Sequence, residues 1–94
     1  MDNIRIYDMC EELRVLLEEL DAPHYTQAEL LEIMLDASGR QQIDDALCVA
    51  KGNNGRQFKA EQNPQRRAQL LNKAALYLNA QTLVREIAEE ISAE

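Results

Sequence analysis

The groups in this chain that could do chemistry are few. They are four adjacent carboxylate pairs (Glu11-Glu12, Glu18-Glu19, Asp44-Asp45 and Glu89-Glu90), one histidine, His24, and two cysteines, Cys10 and Cys48. Acid–base catalysis needs two carboxyls held in different environments within one cleft. Neighbours in sequence on a helix do not face each other, so these pairs read as solvated faces. Structural zinc sites bring their ligands in close pairs, whereas the two cysteines stand 38 positions apart. A Cys48–His24 nucleophile pair has the right chemistry but no local spacing behind it. The stretch Gly52-Asn53-Asn54-Gly55 lacks both the glycine spacing and the Lys-Ser/Thr ending of a phosphate loop. No catalytic residue, cofactor or metal ligand is expected, and the chain reads as a non-enzyme.

The distribution of charge is more informative. The segment KGNNGRQFKAEQNPQRR, residues 51–67, holds Lys51, Arg56, Lys59, Arg66 and Arg67 against one acid, Glu61. Its net charge is +4 in a chain of −7, so the remainder sums to −11. Such a cluster suits an acidic protein surface, a phosphate backbone, or no ligand at all. The overall acidity weakens any blanket attraction to nucleic acid or anionic membrane.

These features must be positioned by a small framework. Ninety-four residues make one domain, 1–94, with a modest core. Phe58 and three tyrosines are the only aromatics, so the core must be aliphatic. Two prolines and three glycines permit long helices. The start MDNIRIYD has no apolar leader region, and no apolar run nears the ~18 residues of a membrane span. With two cysteines there is no disulfide framework, so a reduced, cytoplasmic protein is the expectation.

The expected fold class is all-α, a small bundle of four to five helices. Helix one covers roughly residues 3–20, with Ile6, Met9, Cys10, Leu13, Leu16, Leu17 and Leu20 on one arc. Thr26-Gln27-Ala28-Glu29 is a capping box that starts helix two, with Tyr25 and Leu30 at the staple positions. That helix should run to about Ala37 and end at Gly39 in left-handed geometry. Its apolar residues cover roughly 200° of the wheel, more than one core contact needs, which makes it central or a partner surface.

A third helix is expected from about Arg40 to Ala50, ended by Lys51-Gly52. The GNNG turn signal then gives either a plain loop or a short β-hairpin within residues 49–59. Asn63-Pro64 restarts a helix as N-cap and first residue. Along it, Ala68, Leu71, Ala74, Ala75 and Leu78 share one arc. Leu83, Val84, Ile87, Ala88 and Ile91 share another, well rotated from the first. The helix either breaks near Asn79 with Thr82 as a cap, or one long helix packs on the domain first, through the first arc, and on something else later.

The functional expectation is an interaction protein that regulates or inhibits a protein partner of unknown identity, within or outside nucleic-acid machinery. Surplus apolar surface usually marks protein–protein contacts, and a homodimer is the simplest such contact. The apolar contact is assigned to Leu31, Met34 and Leu35, or to Leu83, Ile87 and Ile91. The charged contact is assigned to Arg56, Lys59, Arg66 and Arg67. The alternative is a helix-turn-helix DNA-binding protein, using Arg40, Gln41 and Gln42 with the basic segment 51–67. Against it, Asp44 and Asp45 would face phosphates.

Overall fold

The computed structural model describes residues 3–93; Met1, Asp2 and Glu94, part of the domain expected above, lie outside the described residues. Four helices occur among them and no strand. They are α1 (Asn3–Glu18), α2 (Gln27–Leu35), α3 (Ala37–Ala60) and α4 (Pro64–Ser92). The fold is all-α and bundle-like. No helix among the described residues is long and apolar enough to cross a membrane.

Helix α1 follows its apolar periodicity. Ile6, Met9, Cys10, Leu13 and Leu17 are buried, as is Leu20 in the turn just past its end, and Leu16 is half-buried against them. On its outer side Arg14 bridges Glu11 at 2.6 Å and Glu18 at 2.5 Å, the i,i+3 and i,i+4 spacings that a helix brings together. The Arg14 guanidinium holds the Glu11 carboxyl below its ordinary value.

Helix α2 starts as the capping box requires. The Glu29 amide donates to Thr26 Oγ1 at 3.2 Å, and the Thr26 amide donates to Glu29 Oε1 at 3.0 Å. Its end differs from expectation. Gly39 has no positive φ and lies within the first turn of α3, so it does not cap α2 in left-handed geometry. A single extended residue, Asp36, separates the two helices. The freed carbonyl of Met34 accepts instead from Arg40 Nη1 at 2.8 Å. Gly39 serves close approach: a Cβ there would sit 2.9 Å from Ile33 Cγ2 and closer still to the Ile33 carbonyl oxygen.

The largest departure from expectation is α3. It runs unbroken through Gly52-Asn53-Asn54-Gly55 to Ala60, so neither the loop nor the β-hairpin within 49–59 forms. Turn preference is a local bias that packing can override, and here the packing is against α4. Asn54 is buried, and its Nδ2 donates to the Leu70 carbonyl at 2.9 Å. The two glycines have no steric role of their own. A Cβ at Gly55 would meet nothing within 4 Å, and one at Gly52 would meet only Arg56 Nη1 at 3.8 Å. Gly55→Ala and Gly52→Ala should therefore each stabilise the protein by about 0.5–1 kcal/mol. The expected rise in melting temperature is roughly 2–8 °C per substitution for a domain of this size. A fall would mean that the glycines are needed for a bend.

Helix α4 is likewise continuous over 29 residues, about 43 Å, with no break near Asn79. Its core side is one straight seam of Leu70, Tyr77, Ala80, Val84 and Ile87 at alternating three- and four-residue spacing, bracketing Lys73. The rotation expected between its two arcs arises because the first arc does not face the core. Leu71 and Leu78 are 60% and 53% exposed.

Helices α3 and α4, joined by Glu61–Asn63, form a long antiparallel hairpin. Helix α1 packs on α4, and α2 touches all three other helices. The contiguous core ends at Ala50 on α3 and begins at Tyr77 on α4. Beyond that level the hairpin extends as a tip, in a molecule of 48 × 21 × 20 Å.

Candidate interaction surface

The tip gathers the basic residues. Residues 51–73 carry six of the ten Lys and Arg and one acid, a net +5, against −12 for the rest of the chain. The tip is closed by local contacts. Asn63 caps α4, its Oδ1 accepting from the Gln65 amide at 2.9 Å and the Arg66 amide at 3.4 Å. Arg67 stacks over the Phe58 ring, 4.4 Å from its centroid, and donates to the Glu61 carbonyl at 3.2 Å. Arg66 Nε lies 3.3 Å from Glu61 Oε2.

Two cations in the first turn of a helix oppose its dipole, and Glu61 supplies a counter-charge from the connecting loop. Arg56 donates to Asn53 one turn back, and Lys59 sits in the last turn of α3, where a cation is favourable. Of the four assigned charged contacts, Arg56, Lys59 and Arg66 are exposed, whereas Arg67 is half-buried in the closure of the tip.

The assigned apolar residues are dispersed. Met34 and Ile87 are completely buried and belong to the core. Leu31, Leu83 and Ile91 are half-buried against it, and Leu35 is 49% exposed. Neither triplet forms an open patch.

The open apolar surface lies elsewhere, on α4. Ala68, Leu71, Ala75 and Leu78 are all exposed, on the side opposite the core seam. Their spacing is three, four and three residues, which holds a stripe in line along a helix packed against another. Apolar periodicity groups these residues on one arc, and a continuous helix is expected to turn that arc to the domain. The signal that separates the two faces is the unbroken run Leu70–Tyr77–Ala80–Val84–Ile87, which leaves Leu71 and Leu78 outside.

The stripe continues as a ridge between two grooves. On the α1 side Val15, Leu16 and Leu83 line a groove of about 810 Å³, rimmed by Asp8, Glu12 and Glu86. On the α3 side, Leu78, Thr82 and Arg85 border a groove shared with Arg40, Gln41 and Asp44. Arg40 is turned back onto Met34, and Gln41 Nε2 donates to Asp45 Oδ1 at 2.8 Å, so two of the three assigned base-reading side chains are engaged within the protein.

The thiols differ sharply. Cys48 is exposed, its Sγ accepting from Gln81 Nε2 at 3.1 Å. Cys10 is buried, and burial pushes its pKa from 9.0 up to about 11. One thiol should titrate rapidly in the native protein and both in denaturant; two rapid native thiols would contradict the burial of this α1 face. The Cys10 contribution to stability is complete below pH 9 and is lost as pH rises toward about 11, because the unfolded thiol ionises first.

Among the described residues, no three His, Cys, Asp or Glu side chains group in a metal-holding arrangement. Comparison with protein-family models, with curated proteins and with solved structures finds no match to this chain.

Proposed function

We propose that the chain is a non-enzymatic interaction protein that regulates or inhibits a protein partner by covering part of its surface. The observation that carries this reading is the exposed stripe Ala68, Leu71, Ala75 and Leu78, continuous with a basic hairpin tip. Leucines more than half exposed and in register along one helix gain by burial against a partner, at about 25 cal/mol per Å² of apolar area removed from water. Arg56, Lys59 and Arg66, exposed on the adjoining tip, favour a partner whose rim is acidic, and set its orientation and approach rate.

The test is a double substitution, Leu71→Asp with Leu78→Asp, in affinity capture from the native cell extract treated with nuclease. Both positions are exposed, so helicity and melting temperature should be retained while the captured partner is lost. Capture that survives both substitutions sinks the reading.

The basic tip also suits phosphates, which keeps duplex binding as the second reading. In that case affinity for duplex DNA should be measurable at low salt and fall steeply as salt is raised. Absence of low-salt binding removes it.

A further inference from the structure

We propose that the exposed stripe of α4 pairs with the same stripe of a second copy, the two α4 helices running antiparallel. This rests on the interaction reading above and names one occupant of that surface.

The argument begins with size. Taking Ala68, Leu71, Ala75, Leu78, Thr82 and Arg85 as successive seam positions, an antiparallel pair aligned about its midpoint sets Ala75 of one copy against Leu78 of the other. Leu71 then meets Thr82, and Ala68 meets Arg85. In the first and last pairings a small residue faces a large one, as interdigitated packing requires. A parallel pair would set Ala75 on Ala75, leaving a void, and Arg85 on Arg85, which repels.

Charge gives the same answer independently. The first turns of α4 carry Arg66 and Arg67, and its last turns carry Glu86, Glu89 and Glu90 against Arg85. Antiparallel alignment places the basic end of each helix beside the acidic end of the other, and parallel alignment opposes like with like. The match extends to the whole molecule. The +5 tip of each copy would lie along the −12 body of its mate, next to the groove rimmed by Asp8, Glu12 and Glu86. The edge of the stripe is polar in a matching way, with Asn72 opposite Asn79 and Gln65 opposite Glu86. Symmetry then repeats every contact once, as a two-fold interface must. The overlap is about 26 residues of each helix, roughly 38 Å.

Sedimentation equilibrium should give twice the 10.7 kDa chain mass for the natural protein. Leu71→Asp with Leu78→Asp should give the single mass with unchanged circular dichroism. Orientation is read with a short thiol cross-linker in a Cys48→Ser background. Ala68→Cys chains mixed with Arg85→Cys chains should cross-link to one another, and neither should cross-link to itself.

A natural protein of single mass overturns the proposal, as does a dimer that survives both aspartates, or self-linking of Ala68→Cys chains. Should the natural protein be a monomer that still captures a partner through Leu71 and Leu78, self-pairing fails while the interaction reading stands. Loss of neither mass nor capture in the double variant removes both.

Discussion

Gly39→Ala should cost about 3 kcal/mol of stability, the upper end of forced overpacking, because backbone rather than a side chain is in the way. The added methyl would sit 2.9 Å from Ile33 Cγ2 and closer still to the Ile33 carbonyl oxygen. A side-chain clash can be relieved by a rotamer change, but a backbone carbonyl cannot move without its helix. That carbonyl belongs to the last turn of α2 and already accepts the Asp36 amide at 3.2 Å. The one-residue junction leaves no slack to absorb the shift. Moving α2 would also disturb the Arg40–Met34 bond and the packing of Leu30 and Met34, both fully buried. Chemical denaturation should show a lowered midpoint with an unchanged slope. A midpoint within error of the natural protein would refute the close approach.

The second large effect is at Tyr77. Its ring is fully buried in the seam of α4, and its hydroxyl accepts from the Asp21 amide at 3.2 Å where the chain leaves α1. Tyr77→Ala should cost about 3–5 kcal/mol, through lost burial and the cavity left behind. Tyr77→Phe keeps the ring and removes the acceptor, so it should cost only about 1 kcal/mol. Because a domain of this kind has on the order of 5–15 kcal/mol in total, the alanine variant should lose a large share of its stability and unfold at a clearly lower denaturant concentration. Equal losses for the two variants would mean that the hydroxyl, not the ring, carries the site. The Lys73–Asp21 pair at 3.2 Å joins the same two segments but is exposed, and its removal should change little.

What was legible in the sequence was local. The apolar arc of α1, the Thr26–Glu29 box and the Asn63-Pro64 start all depend on residues within a turn or two of each other, and all appear in the structure. What was not legible depended on a partner distant in sequence. GNNG reads as a turn until Leu70, sixteen residues on, offers its carbonyl to Asn54. The core face of α4 is hidden for a related reason. Leucine outranks alanine and tyrosine in hydrophobicity, so hydropathy alone favours Leu71 and Leu78 for the core, yet both are exposed. Ala80 is in the core because α4 packs closely there, and closeness is not written in hydropathy. The candidate surface was legible in its charges and not in its apolar part, since Met34 and Ile87 were spent on the core.

The hairpin tip has one more consequence, in how the molecule opens. Past Asn54 and Leu70 the two helices lean on each other alone, with Gly55 on α3 and no share in the main core. Local opening free energy falls where buried apolar contacts are few. Backbone amides of residues 55–69 should therefore exchange with solvent as one cooperative unit, well before those of α1 and the C-terminal half of α4. The Asn54–Leu70 bond marks the boundary between the part that unzips and the part that holds. A surface carried on such a tip can adjust to what it meets without unfolding the body behind it.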